Sequence, residues 1–103
     1  MPLVGQSLVA ATTDAIGSVV SFDTPKVNVG MQVEWSGFTS FSITLEGSVD
    51  GVNFHDLAGQ SSAGIPTGGF ITGGPTMPIL YARANLYGCA GTGSLTAIIA
   101  VSE

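Results

Sequence analysis

The chain is 103 residues long, with two Lys and Arg against seven Asp and Glu, a net charge of −5 and only 9% charged residues. One domain with one core accounts for that length. So few cations exclude a surface that neutralises a run of phosphates or holds an anionic membrane, which leaves nucleic acid and membrane outside the expected partners.

Ordinary soluble domains carry about a quarter charged residues, so this surface is built from Ser, Thr, Gly, Asn and backbone. Such a surface costs little to desolvate and suits either a protein packed against neighbours or a low-charge extracytoplasmic β domain. The start, Met1-Pro2-Leu3-Val4-Gly5-Gln6, lacks the basic residues and the continuous apolar run of a secretory signal. Residues 1–6 are read as an N-terminal arm on a chain made in the cytoplasm.

Residues 7–22 read as two strands separated by Asp14-Ala15-Ile16, with a short helical turn over 13–16 as the alternative. Asp23-Thr24-Pro25 reads as a break, because Pro25 removes a ladder donor. Val27, Val29, Met31, Val33 and Trp35 then alternate with Asn28, Gly30, Gln32 and Glu34, the signature of a half-buried strand. In residues 41–54 Phe41, Ile43, Leu45 and Val49 form the core face opposite Ser42, Thr44, Glu46 and Asp50. Asp50-Gly51 has the chemistry of a two-residue hairpin loop, and Phe54 and Leu57 are expected in the core on the returning arm.

Residues 58–78 hold six Gly and three Pro and no charge, which reads as a long surface loop. Phe70-Ile71 within it is an apolar tip or a short edge strand. Leu80, Ala82, Ala84 and Leu86 then share one face, with Tyr81, Arg83, Asn85 and Tyr87 on the other. Residues 88–93 turn, and Leu95, Ala97, Ile99 and Val101 line a closing strand. Its other face holds Ile98 and Ala100, so this strand is expected to be central or in an interface. No segment keeps a 3.6-residue apolar period. The expected architecture is all-β: a single-domain antiparallel β-sandwich, jelly-roll-like, of about seven or eight short strands over residues 1–103.

The candidate chemistry is sparse. His55 and Asp56 are strand neighbours that point to opposite faces, so they do not form the oriented base of a nucleophile. Asp50-Gly51-Val52-Asn53 lacks the further carboxylates of a calcium loop. Glu34 and Glu46 alternate as solvent-facing residues, without an aromatic sugar platform around them that would make them a glycosidase pair. Cys89, the one cysteine, forms no internal disulfide and has no neighbouring cation in sequence to activate it. The Gly-rich segments lack the Lys of a phosphate loop. Tyr81 and Tyr87 are the expected exposed aromatics, and Arg83 is expected to pair with a carboxylate within the chain or across an interface. The reading is non-enzymatic, with no catalytic, cofactor or metal residues.

Leu45-Glu46-Gly47-Ser48-Val49-Asp50-Gly51-Val52-Asn53-Phe54, followed by Leu80-Tyr81-Ala82-Arg83-Ala84-Asn85-Leu86, resembles a small β-sandwich module of bacteriophage virion proteins. Those modules pair a G-S-x-D-G-x-x-aromatic hairpin with a Y-x-R-x-N strand and a Gly-rich turn before a closing strand. The likeness covers residues 31–101. It implies a head decoration, or cement, protein that binds the major capsid protein on the outside of a phage head as a homo-oligomer, a trimer favoured. Under that resemblance the capsid or subunit contacts are Pro2, Leu3, Val4, Ile65, Pro66, Phe70, Ile71, Met77 and Arg83. Discoidin-like and other carbohydrate-binding sandwiches use a similar D-G-x-x-aromatic hairpin, and the chain is too short for a full discoidin domain; the alternatives are a carbohydrate- or receptor-binding module of a tail or fibre and a free-standing lectin-like domain.

Overall fold

A computed structural model describes residues 3–26, 28–64, 68–73 and 79–101. They form nine strands: β1 (Leu3–Ala11), β2 (Ala15–Ile16), β3 (Val20–Lys26), β4 (Val29–Ser36), β5 (Ser40–Ser48), β6 (His55–Ser61), β7 (Gly68–Gly73), β8 (Ile79–Ala90) and β9 (Ser94–Val101). A 3-10 turn, Ser62–Gly64, follows β6. One sheet has the order β1-β9-β4-β7 and the other β2-β8-β5-β6, with β3 also on β8; every pairing is antiparallel.

This order is that of a jelly roll. β2 and β3 pair with successive stretches of β8 and act as two halves of one edge strand, so eight strand positions fill two four-position sheets. The chain crosses between sheets at each connection except β2–β3 and β5–β6. The strand count therefore exceeds the expected seven or eight through one split.

Alternation carries the core. Rows of aligned residues run across the first sheet: Gly5, Ile99, Met31 and Ile71, then Leu8, Ala97, Val33 and Gly69. Ile43, Leu45, Ala82, Ala84 and Leu86 of the second sheet are buried in the same core. Trp35, Phe38 and Phe41 close one end, with edge-on ring pairs at 4.8 and 5.9 Å between centroids. β9 lies between β1 and β4, the central position expected for it.

Four expectations change. From Leu3 onward the N-terminal segment is strand β1, in register with β9 through Leu3–Val101 and Val4–Ala100, and not an arm. The span 58–78 contains the end of β6, the 3-10 turn and β7, because two central strands supply ladder partners that its Gly-rich composition does not announce. β3 runs through Pro25, which an edge strand tolerates where its register shifts between Ser21 and Lys26. The hairpin loop covers residues 49–54 and leaves Val49 about half exposed, since Asp50 ties down a wider turn than its two-residue signature requires.

Candidate functional site

The outer face of the five-stranded sheet gathers most of the polar side chains singled out by sequence. Its rows are Ser21, Tyr81 and Ser48; Arg83, Glu46 and Asp56; Ile16, Asn85, Thr44 and Gly59; and Tyr87, Ser42 and Ser61. Glu46 is buried and not solvent-facing. Arg83 Nε donates to its Oε1 at 2.7 Å and Asn85 Nδ2 to its Oε2 at 3.2 Å, so both oxygens are engaged. Phe54 is not a core residue, since its ring lies 4.0 Å from the Arg83 guanidinium carbon, a cation–π contact above the ion pair.

The loop that carries Phe54 is folded by its own side chains. Asp50 Oδ1 accepts hydrogen bonds from Ser48 Oγ and from the backbone N–H of Val52 and Asn53, all at 2.8–2.9 Å, and Oδ2 accepts from Asn53 Nδ2 at 2.8 Å. The Asn53 and Val52 amides above all hold the Asp50 carboxyl well below the usual carboxylate range. Gly51 has φ +77° and sits on Tyr81, where an added Cβ would stand 3.2 Å from the ring. The two motifs behind the virion resemblance are thus one interlocked unit: Asp50 shapes the loop, Gly51 seats it on Tyr81, and Phe54 covers the Arg83–Glu46 pair.

This arrangement makes a rigid latch. His55 is aligned with Gly47 and Asp56 with Glu46, so the ladder sends the imidazole and its neighbouring carboxylate to opposite sides. Glu34 and Glu46 belong to different sheets. Among the described residues, no three of His, Cys, Asp or Glu are grouped as metal ligands. Cys89 is pushed up to about 11 by burial and by the neighbouring Asp14, which keeps it a thiol at neutral pH. Asp14 itself accepts hydrogen bonds from Cys89 N at 2.9 Å and Gly88 N at 3.2 Å, and these amides lower its pKa.

By sequence, no family model and no curated protein matches the chain. In three dimensions it is similar to the crystal structure of the SPBc2 prophage-derived protein YomS, with a TM-score of 0.58 and 15% identity over 97% of this chain and 93% of that one. The likeness is one of fold, and it extends over both sheets.

The expected contact residues do not form one surface. Ile71 is buried in the core, because β7 turns it inward beside Met31. Arg83 is held by Glu46 on the five-stranded sheet. Val4 and Phe70 occupy register positions in rows across the four-stranded sheet, with Ala100, Gly30 and Thr72, and with Gln6, Ile98 and Gln32. Leu3 is one position from Val4, in the row of Val101 and Val29. Pro2, Ile65, Pro66 and Met77 lie outside the described residues. Of the two aromatics expected to be exposed, Tyr87 is about half exposed and accepts a hydrogen bond from Thr44 Oγ1 at 3.3 Å, while Tyr81 is partly covered by the loop.

Sequence reasoning misses Ser7. Its hydroxyl accepts from Ala84 N at 2.9 Å and donates to Ser18 O at 2.8 Å, which ties β1 of one sheet to β8 of the other. The bulge between Gln6 and Leu8 releases it from the ladder. A Ser in a run of small residues gives no signal of this.

Proposed function

We propose that this chain is a non-enzymatic virion structural protein of a bacteriophage, a decoration protein that binds and stabilises the outer surface of the head. One observation carries the reading: Asp50, Glu46 and Arg83 are committed to the latch, while the outer rows of the four-stranded sheet are almost uncharged. Gln6, Ile98, Gln32, Ala100, Gly30 and Thr96 lie in those rows, and Glu34 is their charged member. A neutral face of this kind is covered by a neighbour without stranding a buried charge. The jelly-roll fold, shared with a prophage-derived protein, and the hairpin motif support the same class.

The test is cosedimentation of the purified chain with heads built from the major capsid protein of the same phage. Binding to those heads, and a higher temperature of head disruption once decorated, are expected. Absence of binding to assembled heads removes the reading. The second reading, a receptor- or glycan-binding module, rests on the half-exposed ring of Tyr87, whose hydroxyl is pinned by Thr44. Glycan binding abolished by Tyr87→Ala, together with no head binding, selects it instead.

A further inference from the structure

Edge strands expose unpaired N–H and C=O groups, and soluble sheets block them with bulges, charges, prolines or covering segments. Three of the four sheet edges here carry such a block. β1 has two register shifts, a left-handed Ala10 at φ 48°, and a Ser7 carbonyl taken by Ser18 N at 2.7 Å. The β2–β3 edge is interrupted over residues 17–19, and β3 carries Asp23, Pro25 and a register shift. β6 begins with His55-Asp56 and is bulged at Leu57.

Among the described residues, β7 itself has no bulge, charge or proline. Gly68-Gly69-Phe70-Ile71-Thr72-Gly73 contains no charge and no proline, runs in unbroken register with β4 from Val29–Gly73 to Glu34–Gly68, and ends the sheet order. We propose that β7 pairs antiparallel with β7 of a second copy of this chain about a two-fold axis, joining two four-stranded sheets into one continuous sheet of eight.

Symmetry and charge favour a second copy as the occupant. A strand meeting itself antiparallel keeps both sandwiches on one side of the joined sheet only if outward positions face outward positions. Two registers satisfy this while pairing five of the six residues of β7: Phe70 opposite Phe70 of the partner subunit, or Phe70 opposite Thr72 of the partner subunit. The charge bordering the strand among the described residues is Glu34. Its carboxylate lies over Gly68 at one end and accepts from Gln32 Nε2 at 3.0 Å. Either register separates the two Gly68 positions by at least ~13 Å along the strand, beyond the ~8 Å screening length at physiological salt. The net charge of −5 therefore leaves this edge free of close like-charge repulsion. A two-fold pair replaces the trimer that the virion resemblance implies, and it holds whether or not the chain binds a capsid.

Sedimentation of the full chain from roughly 1 to 100 µM should show a monomer–dimer equilibrium. Phe70→Lys with Thr72→Lys sets Lys opposite Lys in either register and should weaken dimerisation several-fold. Gly59→Lys on the blocked β6 edge should leave it unchanged. Hydrogen exchange on the unmodified chain gives a second readout, with the amides of residues 69–73 gaining protection as concentration rises. It decides the matter if circular dichroism shows that the double variant does not fold. A monomer throughout, a trimer, a dimer indifferent to the double Lys variant, or exchange at β7 independent of concentration overturns the proposal. Protection of β7 only by an extended segment of another protein also overturns it.

Discussion

Asp50 stands in solvent, yet it organises the longest loop of the hairpin. The sequence signature identified it as a turn residue, and the charge on its carboxyl is what lets it gather two backbone amides and two side chains. Its folded pKa lies below the ordinary value of 3.8, so the folded state binds fewer protons there than the unfolded chain. Its contribution to stability is therefore complete above that ordinary value and is lost as pH falls through the folded one. Thermal melts across pH should show a gap between the unmodified chain and Asp50→Ala that is constant at neutral pH and narrows below about pH 4. A gap that persists undiminished into strong acid would refute this role. The pairing of Arg83 with a carboxylate was also legible, but its identity was not. Alternation places Glu46 on the outer face without revealing that Phe54 and Arg83 fold over it.

Among the elements, the central strands were readable throughout and the edges only in part: Phe70-Ile71 offered β7 as a short edge strand, and the returning hairpin arm offered the start of β6. β4, β5, β8 and β9 each bury a run of alternating apolar residues, and that period marks them in any context. β6 and β7 are strands because β5 and β4 offer them ladder partners, and their Gly- and Ser-rich sequences carry no comparable pattern. The split edge depends on a connection between sheets. Gly17 N donates to Ala84 O at 2.8 Å, and a Cβ on Gly17 would collide with the hydroxyl and carbonyl oxygens of Ser7. Ser7 fills the gap where neither β2 nor β3 supplies an acceptor for Ala84 N. Ser7→Ala leaves that buried N–H without its acceptor and should cost about 1–3 kcal/mol. Urea denaturation checks this: the midpoint should fall while the slope stays constant. A loss under about 0.5 kcal/mol, within the range of ordinary surface changes, would show the tie to be dispensable.

At the scale of the whole molecule, the sandwich class followed from short alternating segments, whereas the jelly-roll order required the cross-sheet pairings. Those pairings also sort the surface. One outer face carries the latch, with Arg83 and Glu46 neutralising each other, and the other is built from Gln, Thr, Gly, Ala and Ile around Glu34. A net charge of −5 on 103 residues thus coexists with one broad face, the four-stranded one, that presents little field. If the four-stranded face is the one that meets a capsid, shape and desolvation hold the complex, and screening has little to remove. Head binding should then change less than about threefold between roughly 0.05 and 0.5 M salt, a range over which the screening length contracts from ~14 to ~4 Å. A tenfold or greater loss across that range would place charged groups at the interface. Glu34→Gln would then separate a contribution from the four-stranded face from one made elsewhere, because it removes that face's charge while preserving its shape.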